Sequence, residues 1–76
     1  MKPIRLEVNN KKFVIDTKPN DSFLIYREAN HYTPSFHERD IYNGTILSVY
    51  AIQELKDHIE DYKIALKKAR KLKAFL

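Results

Sequence analysis

The 76-residue sequence has no cysteine, no tryptophan, one glycine (Gly44) and three prolines. Without cysteine there is neither a disulfide nor a thiolate zinc site, so a chain this short is stabilised by packing or by association with another chain. A single glycine excludes a phosphate-cradling loop of the Gly-rich type. Apolar runs stop at four residues, as in Phe23-Leu24-Ile25-Tyr26, against the roughly 20 needed to cross a bilayer. Lys2, Pro3, Arg5 and Glu7 interrupt any apolar stretch near the start, so neither a secretory signal nor a membrane span is expected, and the expected location is cytoplasmic. Internal repeats and low-complexity tracts are absent, and one small domain spanning residues 1–76 is expected.

What is present is charge, unevenly placed. The net charge is +4 and the isoelectric point about 9.4. Residues 1–53 are nearly balanced at +1, residues 54–62 carry −3, and residues 63–76 carry +6 with no acid among them. The basicity is therefore a property of the C-terminal segment, and a nucleic-acid reading rests on it alone.

The first 28 residues read as a β-meander. Ile4, Leu6 and Val8 alternate with Arg5 and Glu7, the period-two pattern of a strand with one buried face. Asn9-Asn10-Lys11 supplies a turn whose asparagines tolerate positive φ, and Phe13 to Thr17 return with Phe13 and Ile15 inward. Lys18-Pro19-Asn20-Asp21 is a second turn, followed by a third strand over 23–28. Residues 29–47 form a connection in which Ser35 and Glu38 have capping-box spacing and open a short helix that Asn43-Gly44 stops. Thr45 to Tyr50 fit either a fourth strand, by their β-branched residues, or the start of the next helix, with Thr45 or Ser48 as cap.

A long amphipathic helix is expected over 48–76. Ile52, Leu55, Ile59, Tyr62, Leu66 and Ala69 follow at alternating spacings of three and four, and the seam continues through Lys73 to Leu76 without Gly or Pro. The fold class is α+β: a three-stranded meander, or four-stranded with Thr45–Tyr50, followed by this helix. Such a helix would extend about 43 Å at 1.5 Å per residue, whereas strands of five or six residues give a sheet only about 17–20 Å long. If Ile52, Leu55, Ile59 and Tyr62 cover the meander, then Leu66, Ala69, Leu72 and Leu76 are left without an intramolecular surface. Ile64 and Phe75 lie on the far side of the helix, flanking Lys68 and Lys71.

This misfit carries the functional expectation, a non-enzymatic protein-interaction module. Leu66, Ala69, Leu72, Leu76, Ile64 and Phe75 are the expected apolar anchors, with Lys67, Lys68, Arg70, Lys71 and Lys73 steering approach to an acidic partner. The partner is either an acidic protein, taking the helix into a groove, or a second copy, with the helices antiparallel so that each +6 segment lies near a −3 segment. Richness in Lys, Asn, Ile and Tyr with little Gly resembles small proteins of low-GC bacteria and their phages, and a small regulator or inhibitor encoded by a phage or other mobile element is the expected role. The alternative is a nucleic-acid-binding accessory protein using the same bases on phosphates. The sheet face itself presents Arg5, Glu7, Val14 and Asp16 outward, a mixture unsuited to phosphates.

Other chemistry finds little support. His31 and His37 are six residues apart and match no metal template, even with Glu28, Glu38, Asp40 and His58 considered. Ser35 with His37, or Glu38 with Asp40, would need a cleft and an orienting third group. Catalytic residues, a metal, a cofactor and a small-molecule substrate are therefore not expected. Tyr26, Tyr32, Phe36 and Tyr42 cluster along the connection and read as a lid on the core or as an aromatic contact patch.

Overall fold

Two asparagines make the first reversal. In the computed structural model, which describes residues 3–19, 22–30, 32–44 and 48–73, Asn9 and Asn10 have φ of 49° and 66°, the positive pair that a two-residue hairpin turn demands. They join β1 (Ile4–Val8) to β2 (Lys11–Thr17), and β3 (Phe23–Glu28) returns alongside β2. A short β4 (Ser35–His37) completes an antiparallel sheet in the order β1-β2-β3-β4. The architecture is the expected α+β one, with four strands, and the fourth is drawn from Ser35–His37 rather than from Thr45–Tyr50.

The short helix begins later than its expected box. α1 runs from Glu38 to Asn43, and the Asp40 carboxylate accepts a hydrogen bond from the His37 N–H at 2.9 Å. Ser35 is already in β4. Gly44, at φ 63°, ends α1 in the left-handed conformation, its N–H donating to the Asp40 carbonyl. α2 then spans Val49–Lys73. Ser48 caps it, its Oγ accepting from the Ala51 N–H at 3.1 Å. Of the ambiguous Thr45–Tyr50 stretch, residues 45–47 lie outside the described residues, while Val49 and Tyr50 are helical.

One sheet face is covered. Phe13, Ile15, Phe23, Ile25 and Phe36 point into a core closed by Ile41 of α1 and by Ala51, Leu55, Tyr62, Ala65, Leu66 and Ala69 of α2. The Tyr62 ring meets Phe13 and Phe36 edge-on, with centroids 5.0 and 5.3 Å away, the arrangement that the ring quadrupole favours. On the other face Val14 is nevertheless buried, correcting its expected outward exposure. The Arg5–Glu28 ion pair links β1 to β3 across the strand that carries Val14.

The length misfit is resolved by a kink and by a shift of the overhang. His58 leaves helical geometry, with φ −134° and ψ 15°, without any proline or glycine nearby. On one side of it Glu54 is bound to β3, and on the other Asp61 is bound to the β1–β2 hairpin. Both halves pack on the sheet, through Ala51 and Leu55 before the kink and through Tyr62, Ala65, Leu66 and Ala69 after it, and the most exposed apolar residue of α2 is Val49 at its start. Leu66 and Ala69 are 0% exposed within their own chain. That overturns their assignment as partner anchors, since the sheet and α1 of the same chain already cover them.

Candidate functional site

The outward surface of α2 has two chemically different parts. At its overhanging start Val49 is 86% exposed, and Tyr50 and Ile52 are largely open. Tyr32, 76% exposed, joins them from the connection before β4. Its ring stacks on Tyr50, with centroids 6.4 Å apart and planes 26° from parallel. The Tyr50 hydroxyl donates to the Tyr32 carbonyl at 2.5 Å, fixing the pair. Ile52, expected in the buried seam, is exposed because the buried line runs through Ala51 and Leu55 instead.

The second part is the basic half. Lys67, Lys68 and Lys71 are exposed and form no ion pair with a described residue. Ile64 and Leu72 are exposed beside them. Arg70 and Lys73 are not equivalent to these lysines. Arg70 donates twice to the Glu38 carboxylate, and both cations lie over the Phe23 ring, at 5.0 and 5.4 Å from its centroid. These two therefore fasten α2 to α1 and β3. Phe75 and Leu76, also expected as anchors, lie outside the described residues.

Beneath the first half of α2 is a polar cluster that the sequence did not indicate. Glu54 accepts from Arg27 Nε at 2.7 Å, from the other end of the same guanidinium at 2.9 Å, and from the Tyr62 hydroxyl at 2.8 Å. Burial alone would raise the Glu54 pKa, but the hydrogen bonds from Arg27 and then Tyr62 outweigh it and hold the carboxyl below its ordinary value. Burial is the main cause that pushes the Tyr62 phenol up, reinforced by its bond to Glu54. Asp61 is held down chiefly by Lys11, then by Asn9, against a smaller opposing effect of burial. His58 sits between them, with Nε2 3.9 Å from Glu54 and a buried Nδ1 without a hydrogen-bond partner among the described residues. Arg27 and Glu54 are 27 residues apart, and neither belongs to a recognisable motif. Only an Arg placed on the inward face of a strand hinted at a buried acid opposite.

The remaining aromatic residues do not form one unit. Phe36 is in the core, Tyr26 is half-buried on the open sheet face, and Tyr42 is exposed on α1. Tyr42 lines a groove of about 610 Å³ together with Lys18, Pro19, His37 and Arg39. Glu38 borders it too, but its carboxylate is engaged by Arg70. Among the described residues no three His, Asp or Glu side chains converge as metal ligands. No described helix is long and apolar enough to cross a membrane.

No protein-family model matches the sequence, no curated protein is significantly similar to it, and no solved structure matches its fold.

Proposed function

We propose that this chain is a non-enzymatic protein-interaction module whose contact surface is the overhanging start of α2 together with Tyr32. The supporting observation is the exposure of Val49 and Tyr50 in the first turn of α2, with exposed Tyr32 stacked on Tyr50, in so small a protein. Contiguous exposed apolar surface marks interaction sites, and tyrosines supply much of the energy at their centres. The Tyr32–Tyr50 stack is already ordered, so a partner meets a preformed surface. This moves the anchors to the opposite end of the helix from the one the sequence suggested.

Lys67, Lys68 and Lys71, which pair with no acid among the described residues, favour a second reading, contact of the basic half with nucleic-acid phosphates. Affinity capture from nuclease-treated and untreated extracts, with quantitation against two variants, separates them. The protein-interaction reading predicts a stoichiometric protein that survives nuclease and is lost with Val49→Asp/Tyr50→Ala. It is contradicted if retention is nuclease-sensitive, falls steeply with salt, and is abolished by Lys67→Glu/Lys68→Glu/Lys71→Glu while Val49→Asp/Tyr50→Ala has no effect.

A further inference from the structure

β1 is an edge strand whose sequence is self-complementary in one register. Among the described residues its only strand neighbour is β2. The two-residue turn at Asn9-Asn10 is closed by the flanking pair Val8 and Lys11, because a tight turn bonds its first carbonyl to its fourth N–H. Hydrogen-bonded and non-hydrogen-bonded pairs alternate along an antiparallel ladder. Ile4, Leu6 and Val8 therefore direct their backbone groups at β2, while Arg5 and Glu7 direct theirs at the free edge.

An antiparallel copy of β1 can use those groups in few ways. Placing Arg5 opposite Arg5, or Glu7 opposite Glu7, sets like charges face to face, which destabilises a sheet. The register centred on Leu6 instead places Arg5, which already reaches Glu28 of β3, opposite the other chain's Glu7 at two symmetric positions, and supplies four backbone hydrogen bonds. On the inner face it sets Ile4 opposite Val8 and Leu6 opposite Leu6. Ile4 and Leu6 are only partly buried against the core, so they retain apolar surface to lose.

The helix adds to the same edge. Asp61 and Arg70 are nine residues apart, which is two and a half turns, so they project from opposite sides of α2. Arg70 is tied to Glu38 next to β4, and Asp61 to Asn9 and Lys11 of the β1–β2 hairpin. The Asp61 side therefore overlooks β1. Leu72, within about 20° of Asp61 around the helix, is 46% exposed on that side.

The geometry points to a second copy of this chain as the occupant of the β1 edge, paired antiparallel about a two-fold axis through Leu6 into a continuous eight-stranded sheet. Charges on an edge strand ordinarily discourage pairing. Here they disfavour the in-phase registers centred on Arg5 and on Glu7 and favour the one centred on Leu6, which also pairs the most residues of the strand. This pairing uses a different surface from the aromatic patch and stands independently of it.

A charge-exchange cycle tests it, read by light scattering over a concentration series of the full chain. The wild type is expected to dimerise. Arg5→Glu and Glu7→Arg are each expected to weaken self-association about tenfold or more, since both interfacial pairs become like-charged. Mixing the two variants is expected to restore a dimer, because each then meets the opposite sign. Leu6→Cys gives a readout that survives if Arg5→Glu fails to fold. Its thiol meets its own copy on the axis, with Cα atoms about 4.5 Å apart, and oxidation should link the chains faster than it links an exposed Glu60→Cys control. A monomeric wild type, a dimer indifferent to both charge changes, a mixture that does not reassociate, or equal crosslinking of the two cysteine variants would each overturn the proposal.

Discussion

Before His58, α2 reaches the core with Ala51 and Leu55 and is held by the Glu54–Arg27 pair; after it, four fully buried side chains join two further ion pairs. The first half contributes Ala51 and Leu55 to the core and otherwise relies on Glu54 gripping Arg27 and on the Tyr50–Tyr32 contact. The second half buries Tyr62, Ala65, Leu66 and Ala69 completely. The difference teaches where surface is left over. A half fixed by a few directed polar contacts leaves its large apolar side chains, Val49, Tyr50 and Ile52, facing water. The half fixed by packing turns Tyr62, Ala65, Leu66 and Ala69 inward and presents lysines outward, with Ile64 and Leu72 among them.

The sharpest break of this comparison is Leu66→Asp. It places an unpaired carboxylate at a position with 0% exposure, at an expected cost of about 4 kcal/mol or more, comparable to the whole stability of a domain this small. Circular dichroism should show no cooperative thermal transition at neutral pH.

Glu54→Ala should come next. It leaves the part-buried Arg27 without its acid and the buried Tyr62 hydroxyl without its acceptor, which costs about 2 to 3 kcal/mol. Urea unfolding should show this as a lower midpoint. The same residue sharpens the pH dependence. Glu54 and Asp61 both have folded pKa values below their ordinary 4.5 and 3.8. Their contribution is therefore fully present above those ordinary values and is lost as pH falls through the lower folded ones. The melting temperature should drop below about pH 4.5, less steeply in Glu54→Ala than in the wild type.

The smallest effect is expected at the overhang. Val49→Ser removes an apolar side chain that is already 86% exposed, and its unfolding free energy should stay within about 0.5 kcal/mol of the wild type. A larger loss would show that this end is packed rather than presented.

The elements driven by local chemistry were legible in the sequence. The Asn9-Asn10 hairpin, the alternation in β1, the stop at Gly44 and the long helix all follow from residues close together in the chain. What escaped depends on pairing across distance. Ser35–His37 became a strand because β3 offered an edge at Leu24–Tyr26, which no local propensity reveals. The direction of the overhang depended on Glu54 meeting Arg27 and Asp61 meeting Lys11, contacts 27 and 50 residues apart. Of the expected anchors, Ile64 and Leu72 are exposed while Leu66 and Ala69 are not. Helical periodicity identified a seam but not which end of it the sheet would cover.

Native-state hydrogen exchange, read amide by amide along α2, tests the two-part account most directly. Amides from Tyr62 to Ala69 should exchange only through global unfolding, while those from Ala51 to Asp57 should exchange through a smaller local opening that Glu54→Ala makes easier still. Equal protection along the whole helix, or weaker protection at Tyr62–Ala69 than at Ala51–Asp57, would contradict it.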